Sequence, residues 1–176
     1  MSKPLKVKAI SEDDSIQTTA VKILRTRLDE FYSHWDDPQR TPSARELHNL
    51  RISGKRLRYS AEQLRELFPD RLALLIDLLK RGQDLLGEIQ DCVTRREVIQ
   101  TELTRLQKQK SPDGKALKTL LDADNQRHDL LFSQFREIWM GLSAPKFQAG
   151  LKAMVSHASA EKAPETGAAN SSQIND

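Results

Sequence analysis

The stretch LHNLRISGKRLRYSAEQLRELF, residues 47–68, decides the fold. Its apolar or small positions Leu47, Leu50, Gly54, Leu57, Ala61, Leu64 and Phe68 advance by 3, 4, 3, 4, 3 and 4 residues. On an α-helix that stepping holds one stripe to one side, whereas on a strand it would scatter the same residues over both faces. The segment therefore predicts a helix with a seam for a second helix. Thr41 and Pro42 read as its cap and first turn, and Pro69 as its stop.

Working outward, Asp70 reads as the cap of the next helix, so the connection leaves room only for an antiparallel hairpin. The seam Leu72, Leu75, Leu79, Gly82, Leu86, Ile89 and Val93 repeats the same steps. Ile99, Leu103 and Leu106 prolong it, and a bend is expected near Gly82 or Gly87. Upstream, Ser11 before Glu12, Asp13 and Asp14 reads as a helix start. Ile16, Ala20, Ile23, Leu24, Leu28, Phe31 and Trp35 follow at helical spacing until Asp36-Asp37-Pro38. Downstream of a loop at 111–114, Leu117, Leu121, His128, Leu131, Phe135, Ile138 and Leu142 form a fourth stripe, and Ala144-Pro145 opens a short piece with Phe147, Leu151 and Val155. The expectation is an all-α antiparallel helical bundle of about four main helices plus a short C-terminal helix. Residues 1–10 read as a basic arm, 11–156 as the bundle, and 157–176, rich in Ala, Ser, Glu and Asn, as a disordered tail.

Composition agrees. A chain of 176 residues is sized for one domain, and 24 Leu against 5 Val, with 7 Gly and 7 Pro, favours helix over sheet. Cys92 is alone and cannot form an internal disulfide. No window approaches the ~18 apolar residues of a membrane span, and the N-terminus lacks the apolar run of an export signal, so a cytoplasmic protein with no membrane partner is expected. Net charge is +3, from 28 basic and 25 acidic residues. Without 157–176 the balance is 27 to 22, or +5, so the bundle itself is moderately basic.

The basic residues are concentrated. His48, Arg51, Lys55 and Arg58 are spaced 3, 4 and 3, each one position after a seam residue. They share a face about 100° from the core stripe and span ~15 Å at ~1.5 Å per residue. A ladder of that length suits several successive phosphates of an extended chain. Arginine donates in a fork matched to phosphate oxygens, lysine acts as a mobile point charge, and histidine grips fully only when protonated. Tyr59 is the one ring near this face, too little stacking for a reader of bases. The competing reading is ion pairing within the hairpin. If Phe68 and Arg71 face each other, Lys55 comes near Asp84, Arg51 near Glu88 and His48 near Asp91, leaving Arg56, Arg58, Lys80 and Arg81 in surplus.

Residues 47–68, followed by LLKRGQDLLGEIQDCVTRREVI at 78–99, resemble the CHAD family, the conserved-histidine α-helical domain. The resemblance rests on His48, Arg51, Lys55, Arg56, Arg58 and Tyr59, then Gln83, Gly87 and Asp91, and extends from the first helix to the fourth. It implies a helical bundle that binds inorganic polyphosphate through a basic pocket and associates with polyphosphate granules. By the same resemblance His48, Arg51, Lys55 and Arg58 contact phosphate, Arg56 and Lys80 support them, Asp91 orients a base, and Gly87 permits close helix packing. Many members carry two such basic helices in pseudo-symmetric halves, while one copy is found here, so pairing of two chains is expected to rebuild the pocket.

No other chemistry stands out. His34, His128 and His157 are dispersed, Asp122, Asp124 and Asp129 read as a solvated face, Cys92 as a small buried side chain, and Trp35 and Trp139 as core. No metal, cofactor or catalytic residue is expected. The reading is a non-enzymatic polyphosphate binder, with an accessory or catalytic domain in triphosphate metabolism as one alternative and a sequence-independent nucleic-acid binder ranked behind it.

Overall fold

The structure is a computed structural model that describes residues 3–35, 37, 39–109 and 113–157, with backbone only at 70, 71 and 154–157. The disordered tail expected at 157–176 lies, apart from the backbone of its first residue, outside the described residues. Five α-helices make up the fold: α1 (Ile16–Tyr32), α2 (Ala44–Gln63), α3 (Pro69–Lys108), α4 (Gly114–Ser143) and α5 (Pro145–His157). Among the described residues there is no strand, and the all-α bundle is the architecture observed.

Local chemistry moves several boundaries from their expected places. Ser11 starts no helix: its N–H donates to Asp14 Oδ2 at 2.8 Å in a tight turn, and Ser15 caps α1 instead through Thr18 N–H. Lys22 then draws Asp14 in at 2.6 Å and donates to Ala9 O, so the basic arm is laid along α1. Ser43, not Thr41, caps α2. Its hydroxyl accepts from Glu46 N–H while Glu46 accepts from Ser43 N–H at 2.7 Å, a reciprocal box that satisfies two otherwise orphaned donors. Arg40, 2.7 Å from Glu46, and the Ser43 N–H hold that carboxyl down to about 2.

At its other end α2 gives way to a 3-10 turn (Arg65–Leu67), and Pro69 occupies the first turn of α3, where its missing N–H costs nothing. Helix α3 then runs 40 residues, ~60 Å, as one continuous helix that includes Gly82 and Gly87.

The seams are where the spacing put them. Leu50, Leu57 and Ala61 of α2 and Leu72, Leu75, Leu79, Leu86 and Ile89 of α3 are all buried, with Leu47, Leu64 and Val93 partly so at the edges. One glycine of this interface sits at a close approach. A methyl group at Gly54 would lie 3.2 Å from Phe31 Cε2 and 3.6 Å from Gln83 Nε2, so the Phe31 ring of α1 would have to give way by a few tenths of an ångström to admit it. Around Gly87 nothing lies within 4 Å of such a methyl, which corrects the expectation that this glycine permits close packing.

Helix α4 returns antiparallel along α3, with Arg95 opposite Asp124 and Glu88 opposite Arg127. Aromatic rings lock α1 to α4: Trp35 stacks on Trp139 with centroids 5.3 Å apart and planes within 4°, and Phe31 meets Trp139 edge-on. Tyr32 closes the same junction by donating its hydroxyl to Leu142 O at 2.9 Å.

Candidate anion-binding site

Helix α2 packs one side on α3 and another on α1, and its cations divide between what those neighbours offer. Arg56 faces α1. There Glu30, 2% exposed, accepts from Arg27 Nη1 at 2.5 Å and from Arg56 Nη1, so one buried carboxylate is shared by two guanidinium groups. This pairing was not foreseen, because Glu30 lies on a helix whose angle to α2 no periodicity fixes, and Arg56 leaves the expected surplus. Arg58 leaves it too, donating to Glu62 Oε1 one turn on at 3.1 Å while its guanidinium lies 4.6 Å over the Tyr59 ring. An exposed i,i+4 pair of this kind contributes only about 0.3–0.5 kcal/mol.

His48, Arg51 and Lys55 behave otherwise. Among the described residues none of them is within ion-pair distance of a carboxylate. The quenching acids of the hairpin register do not reach them: Glu88 turns to α4 and binds Arg127 at 2.6 Å, and Asp84 and Asp91 stand exposed. Asp91 makes no hydrogen bond or ion pair among the described residues, and the base its charge acts on is Arg95 of its own helix. The three side chains, His48, Arg51 and Lys55, are half-buried, and Arg51 Nε is buried without a hydrogen bond. Lys80 is exposed on α3 beside Arg81.

One correction concerns α4. Asp124 is not on a solvated face: it is buried and accepts from Arg95 Nε and Nη2 at 2.9 and 2.7 Å. Cys92 beneath this pair is fully buried, and burial together with the Asp124 carboxylate pushes its thiol up, which suits packing and disfavours a thiolate nucleophile. Trp35 and Trp139 are buried as expected. Among the described residues no three His, Cys, Asp or Glu side chains gather where they could hold a metal ion, and no helix is long and apolar enough to cross a membrane.

Sequence periodicity did not bring out a cleft of about 480 Å³ between the N-terminal half of α2, the middle of α3 and α4. Arg51 lines it, and with it Arg96 from α3 and His128 from α4, residues that only the packing of three helices places together.

In comparison with known proteins, the family model of the CHAD domain matches residues 2–100, from the arm through α1 and α2 to most of α3. The match stops short of α4, where the resemblance was expected to continue. No curated protein and no solved structure matches the chain.

Proposed function

The chain belongs to the CHAD domain family, and on that premise we propose that it binds inorganic polyphosphate, without converting it, along the ladder His48, Arg51, Lys55 and Arg58. The observation that carries this reading is the division of charge on α2: Arg56 is held by a buried acid, while His48, Arg51 and Lys55 have no carboxylate partner among the described residues. Cations left without counterions on one helical face attract a polyanion, and forked hydrogen bonds from arginine then fix its phosphates. Arg58 exchanges a weak exposed pair for a phosphate, and Lys80, on the neighbouring helix, adds charge at the same end. Pairing of two chains to complete the pocket belongs to the same reading, in keeping with a single basic helix per chain.

Calorimetric titration with polyphosphate tests the proposal. The combined change Arg51→Ala, Lys55→Ala and Arg58→Ala is expected to weaken binding by about a hundredfold or more while far-UV circular dichroism keeps its helical signal. Affinity should also fall steeply with added salt, as phosphate-bound counterions are displaced. Unchanged affinity in a folded triple variant would overturn the reading. Stronger competition by single-stranded DNA than by polyphosphate of equal charge would replace it with the nucleic-acid alternative. Phosphate release with magnesium, abolished by Arg51→Ala, would replace it with the enzymatic one. A monomer in sedimentation at full binding strength would remove the pairing alone.

A further inference from the structure

The ladder does not account for the cleft beside it. Most of the cleft wall is apolar, built from Leu47 of α2, Leu86, Ile89 and Val93 of α3, and Phe132 of α4. An inorganic phosphate chain has no use for such a floor. Yet two arginines line the same space, Arg51 from α2 and Arg96 from α3. Each has its Nε buried without a hydrogen bond, and neither is within ion-pair distance of a carboxylate among the described residues. An arginine without a carboxylate partner keeps guanidinium donors that a ligand phosphate can take.

The opposite wall has a different chemistry. The His128 and Phe132 rings lie nearly parallel, 6° apart with centroids at 6.4 Å, and His128 Nδ1 is 3.1 Å from Asp129 Oδ1. Asp129 sets a negative charge on that side of the rim, so an anionic head is directed to the arginine side and a flat body to the ring side. The volume lies within the roughly 300–1,000 Å³ of small-molecule sites.

We propose that this cleft binds a small organic phosphate, an aromatic phosphomonoester whose head is gripped by Arg51 and Arg96 and whose ring lies on Phe132 and the aliphatic floor. The site shares Arg51 with the polyphosphate ladder but does not rest on that reading. Each can fail alone.

The probe is 1-naphthyl phosphate, titrated against the full chain by fluorescence alongside 1-naphthol and inorganic phosphate. The ester is expected to bind at least about tenfold tighter than either half, because head and ring are held at once. Arg96→Gln should weaken it about tenfold, and Phe132→Leu, which keeps the site apolar, about fivefold, with polyphosphate affinity unchanged in Phe132→Leu. Amide shifts in the unmutated protein provide a readout independent of any variant and should centre on Leu47, Ile89 and Phe132. Binding no tighter than that of inorganic phosphate, shifts centred elsewhere, or an Arg96→Gln variant of full affinity would each overturn the proposal. Loss of polyphosphate binding in the ladder variant bears on the ladder alone.

Discussion

Arg51 and Arg56 sit five residues apart on one helix and meet opposite fates. Arg56 turns toward α1 and shares the buried carboxylate of Glu30 with Arg27, whereas Arg51 turns toward the α3 and α4 side and has no acid within reach among the described residues. Both are arginines of one basic helix, and both would be counted together in any tally of charge. The difference lies in which neighbouring helix delivers an acid to that side of α2. Charge density thus says where an anion is attracted, and pairing says which cations are left to hold it.

The sharpest way to break this comparison is at its buried side. Glu30→Ala leaves two guanidinium groups without their shared partner and should destabilise the fold by about 3 kcal/mol, read from urea unfolding. Arg51→Ala, by contrast, should stay within about 0.5 kcal/mol of the unmutated protein. If the two variants proved equally stable, the division of α2 into a structural and a binding side would be wrong.

Glycines on the two hairpin helices offer a second, smaller contrast. Gly54→Val drives methyl groups into Phe31 and should cost about 2 kcal/mol. Gly87→Ala meets nothing within 4 Å and should gain about 0.5–1 kcal/mol from helix propensity, visible as a raised Tm. A Gly87→Ala variant that loses stability would restore the packing role that the family resemblance assigned to it.

The smallest effect concerns the seal between α1 and α4. Burial pushes the Tyr32 hydroxyl up to about 12. A phenol whose value is raised on folding contributes stability that is fully present below the unfolded value and is lost as pH climbs toward the folded one. Unfolding midpoints should therefore hold to about pH 10 and decline toward pH 12, and Tyr32→Phe should flatten that decline. An identical alkaline limb in both proteins would show that the hydroxyl does not report on the junction.

Much of the fold was legible because helical seams are local. Leu50 and Leu57, or Leu75 and Leu79, are buried for the same reason that they recur at 3 and 4 residues, and the chain needs no distant partner to set that pattern. Helix ends were less legible: Ser11 and Thr41 look as suitable as Ser15 and Ser43, and only the reciprocal bond with Glu46 or the competing turn at Asp14 decides between them. The ladder of His48, Arg51, Lys55 and Arg58 was legible as spacing. Its pairing state was not, since Glu30 and Asp124 capture arginines 26 and 29 residues away and Glu88 one 39 residues away.

By itself, then, the order of residues determined that this chain forms amphipathic helices, which of their faces turn inward, and that one of them bears a row of positive charge. Tertiary structure alone decided which of those charges keep a carboxylate, that Gly54 rather than Gly87 is the point of closest approach, and that Arg51, Arg96 and His128 border one cleft. The reason is geometric. A helix repeats every 3.6 residues whatever surrounds it, but the angle and register at which three helices meet come from side chains far apart in the chain, and a binding site is made of what that meeting brings together.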